Sequence, residues 1–111
     1  MTNKVAERIP IVELKEKLES SKKPIVIDVR EVREVVESGM IPGARHIPIG
    51  KLESQMSELP KTAHLVFYCG GGGRASRAAQ TFLDAGYKNV SFCGLRSWKN
   101  EGLPVEQKRN P

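Results

Sequence analysis

A chain of 111 residues, 39% apolar and 28% charged, has the size and composition of one ordinary globular domain with a single hydrophobic core. No apolar run approaches the ~20 residues of a membrane span, and residues 1–8 are too polar for a signal peptide. Two cysteines make no disulfide scaffold, so a cytoplasmic location is expected. The cysteines and two histidines, His46 and His64, stand in no metal-ligand spacing, and neither a metal nor a cofactor is expected. A net charge of +5 suits small anionic partners. Nucleic acid is not expected as a partner, because the basic residues are scattered and aromatics make up only 5%. The clearest basic pair, Lys108 and Arg109, belongs to the tail.

In chain order, residues 9–11 read as a short strand that Pro10 confines to an edge. Ile11, Leu14 and Leu18 mark one face of a helix over about residues 12–20. Residues 25–29 are a β-branched run of the kind buried on both faces of a parallel sheet. Asp28 interrupts that run, either as a carboxylate at the ligand-binding end of the strand or as a cap for the next helix. That helix spans residues 31–38, with Val32, Val35 and Val36 on one face and Gly39 as its stop. A turn at 41–44, a short strand at 44–47 and a helix over about 51–57 follow.

Residues 64–68 form a strand that delivers Cys69, and the loop Gly70, Gly71, Gly72, Gly73, Arg74 leads into a helix whose inner face is Ala75, Ala78, Ala79, Phe82 and Leu83. A strand, a glycine turn and a helix N-terminus make an anion cradle, and a thiol held in it is stabilised as the thiolate, the reactive form. Arg74 supplies a guanidinium able to fork two oxygens of an anionic substrate. Four successive glycines suggest a backbone that needs φ > 0 or a close approach to a ligand. The last strand covers residues 88–92, a helical turn carrying Trp98 covers 95–100, and residues 106–111 read as a frayed tail beyond a core of residues 7–105. Strands alternating with helices predict a single α/β domain with a mainly parallel sheet.

These segments together resemble the rhodanese-like family. The matching stretches are Ile27-Asp28-Val29-Arg30-Glu31, then Ser38-Gly39-Met40-Ile41-Pro42-Gly43-Ala44 with His46-Ile47-Pro48, then Tyr68-Cys69 through Arg74 with Ala78-Ala79. The series ends with Gly86-Tyr87-Lys88-Asn89-Val90, Trp98 and Gly102-Leu103-Pro104-Val105. The chain departs from the family pattern at three places. Met40 replaces a histidine, the glycine pair before the tryptophan is reduced to Gly94 with Cys93 just ahead, which shortens that loop, and Gly70 and Gly71 stand where active relatives carry larger or basic residues.

The resemblance implies a central, mainly parallel sheet with helices on both faces, and a sulfurtransferase. In that reading Cys69 takes a sulfane sulfur from thiosulfate or a similar small anion as a persulfide. It then passes the sulfur to cyanide, a thiol or a protein acceptor. Arg74 and the four glycines bind the donor, while Asp28 and Arg30 brace the loop without reacting. Two other readings compete: a non-catalytic regulatory or binding module of the same fold, and a phosphatase or arsenate reductase. Against the phosphatase, only four residues, 70 to 73, separate Cys69 from Arg74, one fewer than its signature requires, and Tyr68 stands in place of a histidine. Cys93 is left with two readings, a resolving thiol for the persulfide or a small packing residue.

Overall fold

The structure, a computed structural model, describes residues 4–107. Five strands run β1 (Glu7–Arg8), β2 (Ile25–Asp28), β3 (Arg45–His46), β4 (Leu65–Cys69) and β5 (Val90–Gly94). They form one sheet in the order β1-β5-β4-β2-β3, and every pairing is parallel. From β2 the chain moves outward to β3 on one side, and from β4 it moves to β5 on the other. The C-terminal ends of β2 and β4 therefore flank the switch point where such sheets open a crevice.

The helices are α1 (Ile11–Leu18), α2 (Val32–Ser38), α3 (Leu52–Gln55), α4 (Gly73–Asp84) and α5 (Leu95–Asn100). Alternation along β4 divides the core in two. Leu65, Phe67 and Cys69 pack with Leu52 of α3 and with Ala75, Ala78, Ala79 and Phe82 of α4. Val66 and Tyr68 turn to the other face, where they meet Ile11 and Leu14 of α1 and Leu95 and Trp98 of α5. On the first face Phe82 sits between Phe67 and Tyr87, with ring centroids 4.8 and 4.9 Å away. The Tyr87 hydroxyl meets the carbonyls of Met56 and Leu59 at 2.8 and 2.7 Å. Each such fully buried side chain contributes about 1.5–3 kcal/mol by leaving water.

Several boundaries differ from the sequence expectation for local reasons. The edge strand is Glu7–Arg8, because Pro10 takes the N-cap position of α1. The helix expected over 51–57 is α3 with a 3-10 turn at each end, Ile49–Lys51 and Met56–Glu58. On α2 only Val35 is buried, while Val32 and Val36 are 51% and 40% exposed, since this short helix touches the domain along one turn. The expected tail begins with a paired residue, as Glu106 and Met40 exchange two backbone hydrogen bonds of 2.8 Å. The Lys108 and Arg109 pair lies outside the described residues.

Candidate active site

Cys69 ends β4 and is 1% exposed, with its Sγ beneath the first turn of α4. Two backbone donors converge on the sulfur: Gly72 N–H at 3.1 Å and Ala75 N–H at 3.4 Å. The cradle expected from the strand, glycine and helix order is present, and its donors come from the turn and from the helix.

The four loop glycines are not equivalent. Gly72 alone among them has φ in the left-handed region (113°), and a Cβ there would lie 2.6 Å from Nη2 of Arg8. Side chains at Gly70, Gly71 and Gly73 would meet nothing closer than 3.5 Å. The tight contact lies behind the loop, where a Cβ on Gly94 would fall 2.9 Å from the Gly70 carbonyl oxygen and 2.9 Å from the Gly71 carbonyl carbon. The turn expected to be shortened before Trp98 is therefore a direct passage from β5 into α5. Its one glycine is the surface on which the loop rests.

Arginines surround the loop. Arg8 of β1 donates from Nη2 to the Gly71 carbonyl at 3.2 Å, and its guanidinium carbon lies 5.1 Å over the Phe92 ring. Arg74, expected to fork a substrate, forks Glu34 of α2, with Nη1 to Oε2 at 2.8 Å and Nη2 to Oε1 at 2.9 Å, and its charge also faces the Cys69 thiol. The hydrogen bonds from Arg74 hold the Glu34 carboxyl down at about 2, and Glu34 in turn raises the pKa of Arg74. Glu34 also closes a capping box, accepting the Glu31 N–H at 3.0 Å. The Nη1 of Arg96 is 3.5 Å from where a Gly71 side chain would begin, and the Arg96 N–H donates to the Gly70 carbonyl at 3.1 Å.

Asp28 and Arg30 form a buried pair, 0% and 2% exposed. Arg30 reaches Asp28 through Nε at 3.0 Å and Nη2 at 2.7 Å, and reaches α2 through Ser38 Oγ and the Gly39 carbonyl, both at 2.6 Å. Burial opposes its charge, but the Asp28 hydrogen bonds and charge outweigh it and leave the Arg30 pKa raised. Among the described residues neither side chain is hydrogen-bonded to residues 70–73. The pair anchors α2, and α2 presents Glu34 to Arg74.

Cys93 is buried on the opposite face of the sheet, since it pairs with Tyr68 rather than with Cys69. Burial pushes its thiol up to about 12. Its side chain packs with Ile11, Leu14, Val66 and Trp98, which favours the packing reading. No group of described residues has the makings of a metal site.

Beside the loop lies a pocket of about 300 Å³ lined in part by Gly70 and Arg30. Glu34 and Glu37 of α2 line one side, and Arg96 and Lys99 of α5 line the other.

Sequence and fold comparisons agree with this geometry. A sulfurtransferase of Allochromatium vinosum is 32% identical over 94 residues, spanning 83% of this chain and 87% of that protein. The human thiosulfate:glutathione sulfurtransferase is 35% identical over 109 residues, spanning 84% of this chain and 93% of that one. The crystal structure of a rhodanese-related protein from Thermoplasma volcanium superposes with a TM-score of 0.80 at 28% identity, covering 92% of this chain and 99% of that one. The profile of the rhodanese-like domain matches residues 11–101. Profile, relatives, parallel sheet and cysteine-centred loop converge, and the chain belongs to the rhodanese-like domain family.

Proposed function

We propose that the protein is a sulfurtransferase that carries sulfur as a persulfide on Cys69. The Cys69 thiolate attacks the outer sulfur of thiosulfate, the bond between the two thiosulfate sulfurs breaks, and sulfite leaves with that electron pair. The terminal sulfur of the Cys69 persulfide is then attacked by cyanide or by a thiolate. Thiocyanate or a new persulfide departs, and the Cys69 thiolate returns. One displacement is split into two through a covalent intermediate.

The observation that carries this reading is the pair of N–H groups aimed at Sγ, from Gly72 and Ala75. Negative charge sits on sulfur before and after each step, and fixed donors meet it without reorganising. The short loop centres on a sulfur atom already at its base, which suits sulfur transfer better than a phosphate held above a cysteine. The names borne by the Allochromatium and human relatives support the same chemistry. A reducing compartment such as the cytoplasm suits it too, since both cysteines are free thiols.

Intact mass measured after incubation with thiosulfate tests the proposal. The wild-type protein is expected to gain one sulfur atom and to lose it to cyanide, while Cys69→Ser gains none. A sulfur that persists in Cys69→Ser, or that maps to Cys93, refutes the assignment.

A further inference from the structure

The site contains two cations that the reaction above does not use. Arg74 is neutralised by a two-pronged bond to Glu34, and Arg30 by its buried pair with Asp28. Arg8 is occupied with the Gly71 carbonyl and the Phe92 ring. Arg96 and Lys99 are exposed, and among the described residues neither side chain has an ion-pair or hydrogen-bond partner. They are three residues apart on α5, hence on one helix face, and both line the pocket that Gly70 also lines. The Arg96 backbone is fixed to the loop by its N–H bond to the Gly70 carbonyl, and its guanidinium stands beside Gly71. With no side chain at Gly71, the Arg96 Nη1 stands directly against the loop, 3.5 Å from where a Cβ would begin. Of the acids on the facing wall, Glu34 is cancelled by Arg74, which leaves Glu37 against two cations.

We propose that Arg96 and Lys99 form the anion subsite of this protein, taking the oxyanion end of a substrate, sulfonate or carboxylate, whose sulfur reaches Cys69 past Gly70. This inference rests on the sulfurtransferase reading for its reaction, but its binding component is measurable without turnover. A cation supplied from α5 takes the place of the larger basic side chains absent from positions 70 and 71. The Arg96 backbone is tied to the loop by the N–H bond to the Gly70 carbonyl. Arg96 suits the role because its planar fork matches two oxygens of either group.

Cys69→Ser protein, which transfers no sulfur, is titrated with thiosulfate and separately with 3-mercaptopropionate, and the Gly70 and Gly71 amide resonances are followed. Adding Arg96→Ala is expected to weaken at least one of the two about tenfold or more. Arg96→Lys keeps part of the affinity, and the wild-type advantage shrinks with salt, because exposed charges are screened over about 8–10 Å. On the active protein, a fall in kcat/KM for thiosulfate assigns the subsite to the donor sulfonate. A fall for 3-mercaptopropionate, with 2-mercaptoethanol unaffected, assigns it to an acceptor carboxylate. Unchanged binding of both probes in Arg96→Ala overturns the subsite, as does a tenfold loss in Arg74→Ala with none in Arg96→Ala. A wild-type protein that takes no sulfur from thiosulfate refutes the reaction instead, and the titrations still decide the subsite.

Discussion

At the scale of the residue, Glu34 has the most to do. One carboxylate caps α2 through the Glu31 N–H and clamps Arg74 with both oxygens, tying α2 to the start of α4. Its carboxyl titrates at about 2 in the fold against an ordinary 4.5. A depressed carboxylate stabilises the fold fully above its ordinary pKa, and that stabilisation is lost as the pH falls through the folded value. The side chain is 36% exposed, so solvent screening keeps the contribution to about 1 kcal/mol. Thermal midpoints measured against pH should fall between about pH 4.5 and 2 more steeply for wild type than for Glu34→Gln. The variant should start about 1 kcal/mol lower at neutral pH. Parallel curves would show that the pair contributes nothing to the fold.

At the scale of the element, the turn after Cys69 is shaped from behind as much as from its own residues. Gly94 ends β5 beside Cys69, and the Gly70 and Gly71 backbones lie against its Cα. Gly94→Ala puts a methyl 2.9–3.0 Å from backbone atoms that have no flexible end to move aside, so the loop itself must shift. Overpacking of this kind costs about 1–3 kcal/mol, which the domain survives. Displacing donors that must meet the sulfur is expected to slow persulfide formation about tenfold or more, on the scale of one lost charge-assisted hydrogen bond. Gly50→Ala, with open space around the new methyl, serves as the control that should leave the rate unchanged. A normal rate in Gly94→Ala would show that the contact is incidental.

The same turn shows how much the sequence discloses. Cys69, the apolar run before it and the alanine face after it are local patterns, and strand, loop and helix were legible from them. So were the parallel sheet and the order of its strands with helices. Glu34 and Arg8 were not anticipated at the site, because their contacts to Arg74 and Gly71 span 40 and 63 positions and leave no periodic trace. Arg96 sits on an exposed helix face, where a charged residue is unremarkable until the loop is seen beside it. Val32 and Val36 misled for the converse reason: helical spacing marks a face as apolar without supplying anything to cover it.

At the scale of the whole molecule, the Asp28 and Arg30 pair joins parts of the chain that no helix spans. It links the end of β2 to the C-terminal turn of α2 through Ser38 and Gly39, and the Arg30 guanidinium lies 5.8 Å from the Tyr68 ring centre, one residue before Cys69. Asp28→Ala strands a guanidinium in a site 3% exposed, and breaking a buried pair from one side costs about 3–5 kcal/mol. That is a large part of the roughly 5–15 kcal/mol that holds a domain of this size. Urea unfolding should register the full loss in Asp28→Ala. The double variant Asp28→Leu with Arg30→Met should lose less than the sum of its single changes, because it leaves no charge unpaired. Below their unfolding transitions these variants should still take up one sulfur at Cys69, since neither side chain is hydrogen-bonded to residues 70–73. A variant that keeps wild-type stability yet takes up no sulfur would move the pair from the scaffold into the chemistry.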